Sequence, residues 1–245
     1  MAIRMHPSFL SAARAGNKGR LRRLLQDDRT LLYGMTIKGN SILHIVANLG
    51  NDWLIAEACD SSEWDLLQRQ NLKGDTILHC AARAGHDHIL SLLIGHQAGR
   101  QMTGVLNQRG DSALHEAARG GHAKVCRQLL AVGENMVSMV NGDGESPLYL
   151  AAVRGSVEIV EMLLECTMVD YRGPRGQTAL HAAVYKCYAN RQGFPISIKF
   201  AKSSLALAEM AVKMLLECAM DCYYRITRGA ADCRYYGNRH EIPFL

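Results

Sequence analysis

Aromatic residues are scarce in this chain: Phe, Trp and Tyr make up 6% of its 245 residues, whereas apolar residues reach 48%. A core short of large rings must be closed by small aliphatic side chains, and the apolar content is mostly Ala and Leu, which suits close helix–helix packing. No stretch of about 18 apolar residues, the length a membrane helix needs, is present. The best candidate, Leu205–Met220, carries Glu209, Lys213 and Glu217 and should not span a bilayer. None of the eight cysteines, at 59, 80, 126, 166, 187, 218, 222 and 233, forms a Cys-x-x-Cys pair. Cys80, Cys126 and Cys166 fall at helical positions suited to a small apolar residue, so reduced thiols in a cytosolic protein fit better than a disulfide framework. Phosphate loops, Gly-x-Ser-x-Gly elbows and kinase signatures are also missing. Gly173-Pro174-Arg175-Gly176 is a turn, not a nucleotide cradle.

What is present is repetition. Gly39–His44 reads G-N-S-I-L-H, Gly74–His79 G-D-T-I-L-H, Gly110–His115 G-D-S-A-L-H and Gly176–His181 G-Q-T-A-L-H, while Gly144–Tyr149 is G-E-S-P-L-Y. The lead glycines lie 35, 36, 34 and 32 residues apart. Self-similarity at this period means stacked supersecondary units, each leaning on its neighbours, rather than one globular core. Within a unit, a Gly-polar turn leads to Ser/Thr-x-Leu-His, an Ala pair, two variable residues, a second glycine and an apolar stretch ending in Leu-Leu or a close relative. That order predicts a helix–turn–helix. Thr76, Ser112, Ser146 and Thr178 are placed to cap the first helix. Pro147 follows its cap, where a missing N–H costs nothing. Gly85, Gly121 and Gly155 end the first helix in a left-handed turn. Ile159, Val160, Leu163 and Leu164 have the spacing of a buried helical stripe. Turns such as Asn71–Gly74, Asn107–Gly110 and Asn141–Gly144 are predicted to project as hairpin-like fingers.

These motifs resemble those of ankyrin repeats, whose T-P-L-H-x-A-A…G-H…L-L pattern is matched best at residues 74–94 and 110–130. The lengthened period, H-P-S-F-L-S-A-A-R-A-G at 6–16 and G-E-S-P-L-Y-L-A-A at 144–152 resemble plant ankyrin proteins of the accelerated-cell-death type. In that group the array is usually followed by a four-helix membrane region, the PGG domain, which this sequence does not show. The resemblance implies an all-α solenoid without a cofactor, acting in membrane-associated defence or stress signalling.

The expected organisation is an array over 6–184, with units near 6–37, 38–72, 73–108, 109–142 and 143–174, and a sixth beginning at 175–184. M-L-L-E-C-A-M at 214–220 nearly copies M-L-L-E-C-T-M at 162–168, but 52 residues later. Residues 205–220 therefore read as the second helix of unit six, with 185–204 a surface loop or a foreign segment inserted ahead of it. Residues 221–245 lack helical periodicity and read as an irregular basic tail. Residues 1–26 hold six basic residues and no acid, which superficially suits a transit peptide. However, A-A-R-A-G at 12–16 is identical to 81–85, so this stretch is expected to be the first unit.

The histidines at 44, 79, 115 and 181 would lie one repeat apart, about 9–10 Å at ordinary helix spacing. That is too far for two ligands of one zinc, whose metal–nitrogen bonds are near ~2 Å. They are expected to link adjacent repeats instead. His86-x-His88 lacks ligand-spaced partners and reads as surface, and Cys218, Cys222, Cys233 and His240 fit no common zinc module. No cofactor, metal or enzymatic activity is expected.

The surface is left as the working part. The positions before each second glycine are Arg14/Ala15, Asn48/Leu49, Arg83/Ala84, Arg119/Gly120 and Val153/Arg154, so four of five units place an arginine there. A row of guanidinium forks on a concave face suits carboxylates or phosphates of a partner. Finger residues Lys38, Asn40, Lys73, Asp75, Arg109, Asp111, Asp143, Glu145, Arg175 and Gln177 are the other candidate contacts, and their alternating sign points to protein rather than polyanion. Arg83→Glu with Arg119→Glu is expected to abolish partner capture and leave melting nearly unchanged. Residues 1–170 carry 17 Lys/Arg against 18 Asp/Glu, and residues 171–245 carry 11 against 5. The basic excess of the last third offers a second reading, a tether to acidic lipid at the cytoplasmic face of the plasma membrane. Nucleic acid is disfavoured, and a monomer is expected.

Overall fold

The computed structural model describes residues 4–60 and 64–189; the readings made on 190–245, including the helix at 205–220, the basic tail and the Cys218–His240 grouping, lie outside these residues. Five helix pairs follow one another: α1 (Pro7–Arg14) with α2 (Lys18–Asp27), α3 (Ile42–Leu49) with α4 (Trp53–Asp60), α6 (Ile77–Ala84) with α7 (Asp87–Gly95), α9 (Ala113–Gly120) with α10 (Ala123–Val132), and α11 (Pro147–Arg154) with α12 (Val157–Leu164). The short helices α5 (Trp64–Leu67) and α8 (Gln97–Met102) occupy the connections after the second and third pairs. They account for the lengthened period there and bury Leu66, Leu67 and Met102. The last described helix, α13 (Ala179–Ala189), runs five residues into the segment read from sequence as a loop.

The first helices of the pairs stack side by side as an inner row, α1 on α3, then α6, α9, α11 and α13, and α4, α7, α10 and α12 form an outer row. Close approach in the inner row follows from the alanine pairs: Ala81, Ala82, Ala117, Ala118, Ala151 and Ala152 are all fully buried. One apolar cluster runs unbroken from Met5 to Ala183, as expected of a solenoid in which each unit buries its face on the next. At the amino-terminal end, Lys18 and Arg22 of α2 sit over the Trp53 ring, 5.6 and 5.5 Å from its centroid. Two of the basic residues weighed as a leader thus tie the first pair to the second. Among the described residues, β-pairing is limited to isolated bridges such as Arg172 with Thr178.

Fingers form between pairs because each begins with a turn-forming residue and carries a left-handed glycine. Asn71 Oδ1 accepts from the N–H groups of Lys73 (2.8 Å) and Asp75 (3.0 Å), which closes the loop locally. Gly74 has φ +74°, and a Cβ there would lie 2.8 Å from the Gln108 nitrogen. That nitrogen donates to the Lys73 carbonyl at 2.9 Å, joining one finger to the next. Leu72 N–H to Lys38 O and Gly142 N–H to Arg109 O repeat the contact on either side. Gly74→Ala is therefore expected to lower unfolding free energy by more than about 1 kcal/mol, since strain and displaced backbone add. An unchanged urea midpoint would contradict this account of the fingers.

Candidate protein-binding face

The Leu-His motif builds the polar spine beneath the fingers. His79 Nδ1 lies 2.9 Å from the Thr76 hydroxyl and 3.2 Å from the Thr76 nitrogen, while Nε2 is 2.9 Å from the Asp111 carbonyl of the next unit. A carbonyl only accepts, so Nε2 carries the proton and Nδ1 accepts from the hydroxyl and the N–H. His44 does the same between Ser41 and the Asp75 carbonyl (2.9 Å), and His115 between Ser112 and the Glu145 carbonyl (3.2 Å). His181 contacts Thr178 in the same way on its Nδ1 side. Burial pulls the pKa values of His44 and His79 below the usual imidazole value, and that of His115 down to about 4. Neutral imidazole is the form these bonds require. Where Tyr149 replaces histidine, its phenol reaches Gln177 of the next finger at 2.9 Å, and the Ser146 hydroxyl caps α11 by accepting from the Tyr149 N–H.

Nothing in the repeat spacing singled out the finger asparagines as ties between units. Asn71 Nδ2 donates to Asn40 Oδ1 (2.7 Å), Asn107 Nδ2 to Asp75 Oδ1 (2.9 Å) and Asn141 Nδ2 to Asp111 Oδ1 (2.7 Å). Their signal was present: an Asn opens the second, third and fourth fingers, always four positions before an acidic residue. His86 and His122 make a parallel set of ties by donating to the carbonyls of Asn48 (3.3 Å) and Arg83 (3.1 Å). His86, read from sequence as surface, therefore joins α7 to the preceding unit.

Asp75 and Asp111, taken from sequence as finger contacts, are 1% and 0% exposed. Each stands at a finger stem just before the residue that starts the helix, beneath the next finger's asparagine and beside an arginine of its own unit. The arginines read from sequence as a row available to a partner are already engaged within the chain at Arg83 and Arg119. Arg83 spans Asp75 (3.0 Å) and, through two nitrogens, Glu116 (2.8 and 3.0 Å). Arg119 grips Asp111 with two bonds (2.8 and 3.1 Å), with Glu116 at 3.4 Å and Glu145 at 3.5 Å. Burial opposes both guanidinium charges, but the bonds to these carboxylates outweigh it and raise their pKa values. For Asp75 and Asp111 burial is likewise outweighed, by Arg83 and Arg119 respectively, and both pKa values fall. Arg83→Glu with Arg119→Glu would set new carboxylates against buried ones, so the expectation of unchanged melting does not hold.

The remaining positions divide by end. Arg109 pairs with Asp143 at 2.8 Å on the third and fourth fingers, and Glu145 is half-buried against Asn141. Arg154 and Arg175 are exposed. Arg14, Lys38, Asn48, Leu49, Lys73 and Arg83 line a groove of about 480 Å³ across the first three units. Cys80 also reaches it, but burial pushes that thiol up to about 12, so it is inert as a nucleophile. Among the described residues no group of His, Cys, Asp and Glu could hold a metal ion, and no helix is long and apolar enough to cross a membrane.

A family model described as ankyrin repeats (three copies) matches residues 9–98, 43–139 and 133–191. Comparison with curated proteins returned no match. Chains of solved structures that match number 475. One comes from a structure described as the Bd0816 predatory endopeptidase from Bdellovibrio bacteriovorus in complex with immunity protein Bd3460, at 22% identity and a TM-score of 0.64, covering 84% of this chain and 99% of that one. At that identity the likeness concerns the fold. With the family model spanning residues 9–191 over the same helix pairs, fingers and histidine ties, the chain belongs to the ankyrin-repeat family.

Proposed function

We propose that this chain is a non-enzymatic scaffold that holds a protein partner across its fingers and inner helix row. Ankyrin repeats are protein–protein interaction modules and are generally non-enzymatic. One observation supports this face over others. The buried polar groups of the spine are engaged in joining units, whereas Arg14, Asn48, Lys38 and Lys73 point into a shared groove without side-chain partners among the described residues. Chemical cross-linking of a complex captured with the full chain tests it. Lysine cross-links should fall on Lys38 and Lys73, on the fingers. Links confined to Lys124, on the outer helix α10, would reject this face.

Action in stress or defence signalling, in the cytoplasm or at the inner face of the plasma membrane, is supported by the accelerated-cell-death-type motifs at 6–16 and 144–152. A peripheral tether through the basic last third is the second reading, favoured by its 11 basic against 5 acidic residues. Salt-sensitive binding to anionic vesicles that disappears when 223–245 are deleted would support that tether.

A further inference from the structure

Charge along the groove side is paired at the arginines of the middle units and unpaired at the amino-terminal end. Arg83, Arg109 and Arg119, in the third and fourth units, each meet carboxylates of the same chain at 3.0 Å or less. At the amino-terminal end, Arg14, Lys38 and Lys73 line the groove and meet none among the described residues. Asp75, the carboxylate in that lining, is buried and held by Arg83 and Asn107. Apolar side chains accompany the unpaired cations. Ile37 and Leu72 are 85% and 65% exposed and directly precede Lys38 and Lys73, and Leu49 on the groove wall is 44% exposed. The corresponding pairs in the next two fingers are Gln108-Arg109 and Gly142-Asp143, so the aliphatic–lysine pairing is confined to the first two.

We infer that the groove over the first three units takes an extended acidic segment of a protein partner, its carboxylates on Lys38, Lys73 and Arg14 and an aliphatic side chain among Ile37, Leu49 and Leu72. This rests on the scaffold reading and names the chemistry of the partner. Opposite charge speeds encounter and fixes register, and the aliphatic contact removes apolar surface from water. The lining holds no Phe, Tyr or Trp ring, and its imidazole, His44, is buried between Ser41 and the Asp75 carbonyl, so no ring is presented for nucleic-acid bases to stack on. A concave groove also cannot lie flush on a bilayer.

Random peptides displayed on phage, panned against the full chain and against its Lys38→Glu/Lys73→Glu variant, test the inference. Both lysines are exposed and without side-chain partners, so the variant should melt like the parent. Peptides enriched on the parent should combine Asp or Glu with Leu, Ile or Val. Synthetic copies should bind the variant roughly tenfold more weakly, because each reversal turns an exposed attraction into a repulsion. Enriched peptides without acidic residues, or binding unaffected by the two reversals, would overturn the acidic-partner inference and leave the scaffold reading standing. No enrichment on the parent would overturn both. Phosphatidylserine–phosphatidylcholine vesicles form the last arm: lysine-dependent vesicle binding without peptide enrichment would assign the cations to a membrane surface instead.

Discussion

Arg119→Met is expected to lower the unfolding free energy by about 3 kcal/mol, the low end for removing one member of a buried ion pair. The cost comes less from the lost attraction than from what remains. Asp111 is 0% exposed, and without Arg119 its carboxylate keeps the Asn141 amide at 2.7 Å and a distant Arg109 nitrogen at 3.7 Å. Charge stranded in this way is the unfavourable element. The double change Arg119→Met/Asp111→Asn should accordingly be more stable than the single one, since an amide oxygen at 111 still accepts from Asn141. Urea unfolding of the two variants gives the comparison. A single variant within about 0.5 kcal/mol of the parent would show that solvent already screens the pair.

Acid should loosen the array well before its carboxylates protonate. The imidazoles of His44, His79 and His115 are neutral in the fold, with pKa values depressed by burial below the ordinary 6.5. For such a group the unfolded chain takes up a proton first. Its stabilisation is complete above the unfolded value and is lost as pH falls toward the folded one. For His115 the window runs from 6.5 to about 4. At about 1.4 kcal/mol per pH unit crossed, His115 alone removes on the order of 2 kcal/mol by roughly pH 5. His44 and His79 act in the same direction. Asp75 and Asp111, whose pKa values are lowered from 3.8, surrender their share only below that window. Urea midpoints should therefore fall steeply from neutral pH toward about pH 5, and His115→Gln should flatten that slope whatever it does to stability at neutral pH. A flat midpoint across this range would mean that the imidazoles accept protons without breaking their ties.

The repeat, the helix pairs and the fingers were legible because each leaves a local mark. The Gly-polar turn, the Ser or Thr before Leu-His and the second glycine fix the backbone within a few residues. The spacing of the histidines likewise marked them as links between adjacent units, as His44, His79 and His115 prove to be. What local pattern could not give was the set of polar bonds made across units, which depends on how neighbouring fingers register. Glu116 is the clearest case. It occupies the position after the histidine, filled elsewhere by Ile45, Cys80 and Ala182, and its importance appears only when α9 sets it against Arg83 of α6. Asp75 and Asp111 were misread for a related reason. Their place in a polar turn suggests exposure, but the next finger's asparagine closes over them.

The ties between units carry a consequence for how the chain reaches this state. Even the bond from His122 to the Arg83 carbonyl joins positions only 39 apart. Among the described residues, none of these ties has to bring distant parts of the sequence together, so the entropy lost in closing any one loop stays small and nearly constant from unit to unit. Low contact order of this kind favours rapid folding. Growth can begin wherever two adjacent units first stick and then extend toward both ends, with the most regular central pairs, α6–α7 and α9–α10, best equipped to serve as the seed.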